Sequence, residues 1–162
     1  MNESIDNLLF LTSFCCMACD GEIAKEELIQ LKTFSDQEHL FKSINIDEEY
    51  KKCLVLLKQL GNDFVKSYLQ FIAEIELTEN EKLKLLEVAA KTILADNKVE
   101  YSEIRFFKKI FYKLNIDESV VLSSLKMIDD YWLERDLTDN FTDENFFANI
   151  DFSLTSTNSI EL

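Results

Sequence analysis

The sequence predicts an all-α protein, a single-domain bundle of about seven helices with an internal pseudo-twofold repeat. Composition is the first reason: proline is absent from the 162 residues and glycine occurs only at Gly21 and Gly61. That removes the usual turn chemistry of sheets and leaves helices joined by short polar connections. Periodicity is the second, because apolar residues recur three and four apart along most of the chain. Self-similarity is the third. Asp20, Ile23, Glu27 and Leu28 return 76 residues later as Asp96, Val99, Glu103 and Ile104, with Leu31 meeting Phe107 and Phe34 meeting Ile110. The tetrapeptide Asn45-Ile46-Asp47-Glu48 returns as Asn115-Ile116-Asp117-Glu118 at an offset of 70, so the first copy carries six extra residues around 36–42. A duplicated helical unit with an acidic turn in each copy follows.

The elements are expected in this order. Residues 4–19 form a first helix, apolar nearly all round from Leu8 to Ala18, as a central core helix is. Residues 20–25 turn, with Gly21 free to take positive φ. A second helix over 26–41 presents Leu28, Leu31 and Phe34. Asp47 caps a third over 48–60, with Cys53, Leu56, Leu57 and Leu60 on one face. A helix over 62–76 carrying Phe64, Tyr68, Phe71, Ile72 and Ile75 has no counterpart in the other copy and is the connector. Thr78-Glu79-Asn80-Glu81 is a capping box that opens a helix to about Leu94. After the second acidic turn, Ser102 caps a sixth helix with Ile104, Phe107, Ile110, Phe111 and Leu114 inward. Asp117 caps a seventh that runs through Trp132 to about Arg135.

The predicted organisation is therefore a helical domain over 1–135, with repeat units at about 4–60 and 79–135, and a tail over 136–162. The tail holds Asp136, Asp139, Asp143, Glu144, Asp151 and Glu161 but no Lys or Arg, with Phe141, Phe146, Phe147 and Phe152 between the acids. Such a mixture reads as a frayed terminus or as a docking peptide whose Phe141, Phe146 and Phe147 are the anchors.

Seventeen Lys and Arg against 31 Asp and Glu give a net charge of -14. A field of that sign repels phosphate backbones and anionic lipid, so nucleic acid is not an expected partner; a cation or a basic protein surface is. No apolar run approaches the roughly 20 residues of a membrane span, and no basic segment leads into an apolar one with a small-residue end, so a cytoplasmic location without membrane insertion is expected. The clustering of Cys15, Cys16 and Cys19, with Cys53 apart, agrees, because it is unlike a secreted disulfide framework.

Asp20 and Asp96 each end a core helix, and Glu27 and Glu103 each stand in the opening turns of the next. With pseudo-twofold packing, the four carboxylates meet at one edge of the bundle, an oxygen-rich set suited to Ca²⁺, Mg²⁺ or Mn²⁺. Neither turn is an EF-hand, since Lys25 stands where its glycine belongs and Leu31 where its bidentate acid belongs. The structural alternative is helix capping, because an acid near a helix N-terminus faces the positive end of the macrodipole.

At these residues the chain resembles the TerB-like family of tellurite-resistance proteins. The likeness rests on Ala18-Cys19-Asp20-Gly21-Glu22-Ile23 with Glu26-Glu27, and on Leu94-Ala95-Asp96-Asn97-Lys98-Val99 with Glu103, and it covers roughly residues 5–133. The resemblance implies an all-helical bundle of about seven helices and a divalent-metal cluster of Asp20, Glu27, Asp96 and Glu103, with Glu26 as a neighbour. It also implies a non-enzymatic module in a bacterial tellurite, stress or phage-defence system. Asn97 replaces the family glycine, and Lys98 places a cation beside the second turn.

Other constellations are weaker. Cys16 and Cys19 have CxxC spacing, and Cys53 with His39 would complete a Cys₃His zinc site. The pair lies in an apolar helix, however, where cysteine behaves as a small hydrophobe, so zinc is not expected. No nucleophile, base and orienting group assemble around His39, the single histidine, and no phosphate-binding glycine loop occurs; an enzyme is not expected. The alternative function is an acidic immunity or inhibitor protein that covers a basic enzyme or toxin.

Overall fold

The computed structural model describes residues 2–19, 25–38, 41, 44–95 and 99–134, and within these all side chains but those of 2–4, 25–27, 34, 37 and 38. Among the described residues the chain forms seven α-helices, one 3₁₀ turn and no strand. They are α1 Asn2–Ala18, α2 Lys25–Glu38, α3 Ile46–Leu60, α4 Asn62–Glu74, α5 Glu79–Leu94, α6 Tyr101–Leu114 and α7 Glu118–Ser124, followed by the 3₁₀ turn Asp130–Trp132. None is long and apolar enough to cross a membrane.

The two central helices are α1 and α5, which pack along one another. Every residue from Thr12 to Cys19 is buried, and so are Leu85, Leu86, Val88, Ala89, Ala90, Thr92 and Ile93. Ala89 and Ala90 keep α5 slim where α1 lies against it, and the polar groups caught in the seam satisfy one another. Ser13 and Thr92 hydroxyls lie 2.7 Å apart, while Thr92 donates to the Val88 carbonyl. With one proton per hydroxyl, Ser13 must be the donor to Thr92. Thr12 likewise donates to the Leu8 carbonyl, which leaves the Tyr68 phenol of α4 to donate to Thr12 across 2.7 Å.

Around this pair the helices are unequally placed. α6 packs on both α4 and α5, and it is buried nearly all round: Ile104, Phe106, Phe107, Ile110, Phe111 and Leu114 are joined by Lys108 and Lys109, at 3% and 4% exposure. The Lys108 ammonium lies 4.6 Å from the centre of the Tyr131 ring, a cation-π contact that accommodates its charge. α2 instead meets α3, tied by Lys32 to Asp47 at 2.7 Å. That pair is half exposed and contributes little.

Several helix limits differ from the sequence expectation, each for a local reason. α2 stops at Glu38 rather than 41, and Phe41 leaves the helical path with φ 57 to enter the core, its ring meeting Phe10 edge-on at 5.6 Å. A left-handed φ is costly for an aromatic residue, so burial holds it there. α3 is capped by Asn45, whose side chain accepts from the Glu48 amide, and not by Asp47. Its inward face is Tyr50, Cys53, Leu54 and Leu57, which leaves Leu56 and Leu60 outside. On α4, Phe64, Tyr68 and Ile72 are buried as expected but Phe71 is exposed. α7 ends at Ser124 instead of reaching Arg135. The chain then bends so that Leu125, Ile128, Trp132 and Leu133 fold onto the core. Trp132 meets Phe107 at 5.1 Å and Tyr112 donates to the Leu133 carbonyl. The Thr78 capping box is present as predicted, with both of its hydrogen bonds.

Candidate functional site

The helix limits follow the sequence offset of 76. Ala18 and Leu94 close α1 and α5, Lys25 and Tyr101 open α2 and α6, and Glu38 and Leu114 close these. Glu27 and Glu103 therefore both stand third in their helices. An acid at that position can reach back to the N-cap amide and sits at the positive end of the helix dipole. Glu103 does so: its Oε1 accepts from the Glu100 N–H at 2.8 Å. Glu100 is thus the N-cap of α6, and Ser102, expected as the cap, lies inside the first turn. The back-bond from Glu103 fixes the start of the helix three residues earlier than itself, which the hydroxyl of Ser102 cannot do.

Glu103 also lies beside the end of α1. The Cys16 thiol, in the last turn of that helix, is held well above the ordinary thiol range, first by its burial and then by the Glu103 carboxylate. α1 and α6 are in contact, and the charge of Glu103 in the first turn of α6 reaches Cys16 in the last turn of α1. Of the four acids named from the sequence, Glu103 is the one whose side chain is described. Glu27 is placed by its backbone, and the side chain of Glu26, together with Asp20 and Asp96, lies outside the described residues. Among the described side chains no three His, Cys, Asp or Glu converge, a set from which Asp20, Glu27 and Asp96 are missing.

The cysteines are all buried thiols. Within the CxxC spacing, Cys19 donates to the Cys16 carbonyl at 3.1 Å, a bond inside the helix end. Burial pushes Cys15 well above the usual range, helped by Cys53 and Cys16. Cys53 is pushed up to about 12 by burial and by Glu49, against the opposing effect of Lys52. Thiolate chemistry is disfavoured at all three. His39, the remaining member of the Cys₃His set, lies outside the described residues, as do Phe141, Phe146 and Phe147.

Two surface features were not read from the sequence. A cleft of about 570 Å³ opens where the end of α4, the start of α5 and the end of α6 meet, lined in part by Glu76, Leu77, Lys82, Lys113 and Asn115. Glu81 also borders it, but its carboxylate serves the Thr78 cap. The second is the outward face of α3, where Lys51, Lys52, Val55 and Leu56 line one shallow depression. The spacing of Tyr50, Leu54 and Leu57 was the signal for it: once those point inward, Val55 and Leu56 have to face out.

No protein-family profile, curated protein or solved structure matches this chain.

Proposed function

We propose that the protein is a non-enzymatic, TerB-like helical module of a bacterial stress, tellurite-resistance or defence response. Its two acidic turns bind one divalent cation, Ca²⁺, Mg²⁺ or Mn²⁺, and its acidic surface receives a protein partner. The observation that carries the reading is the equivalence of Glu27 and Glu103, third in helices that begin at the same offset as the repeated Asp20 and Asp96. The influence of the Glu103 carboxylate on Cys16, in the last turn of α1, supports it.

Capping and ligation are compatible roles. A carboxylate offers about four lone-pair sites, and the Glu100 amide takes one on Glu103. An ion drawn from both units would hold them together only while bound, so occupancy would be read out as stability of the pairing between the halves. A partner that recognises the packed form would then sense the ion.

The test is the melting temperature of EDTA-treated full-length protein with each ion added. A saturable rise with one ion, lost in Asp20→Asn and in Glu103→Gln, is the expected result. The alternative, an immunity-type inhibitor of a basic protein, is favoured by the net charge of -14. It predicts no ion effect and a salt-sensitive association rate instead.

A further inference from the structure

We propose that the outward face of α3 is the docking surface for this chain's own acidic, phenylalanine-bearing segment, residues 136–162. The face combines exposed apolar side chains with lysines. Val55, Leu56 and Leu60 are 52%, 42% and 46% exposed, an apolar strip on a helix whose other face is already in the core. Lys51 and Lys52 border the depression in which Val55 and Leu56 lie, and Lys58 follows two turns on from Lys51. Lys52 pairs with Glu49 at 3.1 Å and stays exposed. Aliphatic side chains between lysines form a seat for an aromatic anchor flanked by carboxylates.

Charge and reach single out one occupant. Residues 136–162 carry six acids, four phenylalanines and no basic residue, which is the complement of that seat. The described chain ends at Glu134. At roughly 3.3 Å per extended residue, Phe147 can lie about 43 Å from it and Phe152 about 60 Å, against a diameter of about 36 Å for a domain of this length. A tethered segment also meets its site at an effective concentration in the millimolar range, so weak contacts suffice.

The experiment uses the full chain with a nitroxide at Asn149→Cys, between Phe147 and Phe152. The native thiols are buried, so the introduced one takes the label. The expected result is selective loss of amide signal intensity over Lys51 to Leu60, undiminished on dilution. It should be abolished by Val55→Asp/Leu56→Asp and by Lys51→Glu/Lys52→Glu, substitutions at exposed positions. Three results would overturn the proposal: no loss on α3, loss confined to another helix, or loss arising only between molecules when labelled and isotope-enriched chains are mixed. The last would make the occupant a second copy's tail. None of these outcomes depends on the acidic turns.

Discussion

The proton inventory of the core makes the sharpest statement about a single residue. Tyr68 is buried and donates to Thr12, whereas Thr12 spends its own proton on the Leu8 carbonyl. The two partners are therefore unequal. Tyr68→Phe leaves Thr12 with its backbone acceptor and should cost about 1 kcal/mol or less, but Thr12→Val strands a buried phenol and should cost about 1–3 kcal/mol. Urea unfolding of the two variants distinguishes them, and equal losses would contradict the donor assignment. At this scale the sequence was informative about which residues are buried and silent about which hydroxyl donates. Leu8 to Phe10, Thr12 to Ala18, Ile104, Phe107 and Ile110 are buried as their pattern implies, since periodicity reports the direction a side chain points. The burial of Lys108 was not legible, because Tyr131 covers it from more than twenty residues away.

One tetrapeptide illustrates what governs the elements. Asn45-Ile46-Asp47-Glu48 and Asn115-Ile116-Asp117-Glu118 are identical, yet Asn45 caps α3 while Asn115 closes α6 with φ 52 and leaves the capping of α7 to Asp117. The extra residues before Asn45 supply the difference, since they release it from α2, whereas Asn115 follows α6 directly. Opposite responses to loss of the asparagine side chain follow. Asn115→Gly should be neutral or stabilising, because glycine takes the left-handed conformation freely. Asn45→Ala should cost about 1 kcal/mol through loss of its bond to the Glu48 amide. Thermal melts of both variants check this. The starts of α5 and α7 were readable from their caps, Thr78 and Asp117, whereas α3 and α6 are capped at Asn45 and Glu100 where Asp47 and Ser102 were expected. The end of α7 was not, because Ser123, Ser124 and Leu125 contain no glycine or proline, and the bend is imposed by the apolar side chains that must reach α6. The candidate site divides in the same way. The third position of Glu27 and Glu103 was foreshadowed by the repeat offset, while the closeness of Glu103 to α1 comes from packing.

For the whole molecule, buried thiols set the alkaline limit. Cys15, Cys16 and Cys53 are all raised above the ordinary value of 9.0, mainly by burial. Above pH 9 the unfolded chain loses these protons and the native one keeps them, so the native state binds more protons and stability falls as pH rises. Each thiol contributes roughly 1.4 kcal/mol per pH unit, from its unfolded value up to its folded one. Urea midpoints should therefore decline steeply between pH 9 and 11, and a flat profile would contradict the burial of these groups. The same burial predicts that a thiol reagent modifies the native protein slowly at pH 8 and the unfolded protein at once. At the opposite extreme of charge, 31 acids against 17 basic residues leave the chain at -14, and under the proposed function a cation bound by Asp20, Glu27, Asp96 and Glu103 would relieve the repulsion among those four.

That relief is the central claim, and melting the EDTA-treated full-length protein with added Ca²⁺, Mg²⁺ or Mn²⁺ tests it most directly when wild type is set beside Glu27→Gln, Glu103→Gln and the double variant. A single shared site predicts a saturable rise for wild type with one ion. It also predicts that either single substitution removes the rise and that the double variant loses nothing more. If wild type does not shift at millimolar ion, or if each substitution lowers stability equally with and without the ion, the two glutamates are helix caps and the acidic turns are not a metal site.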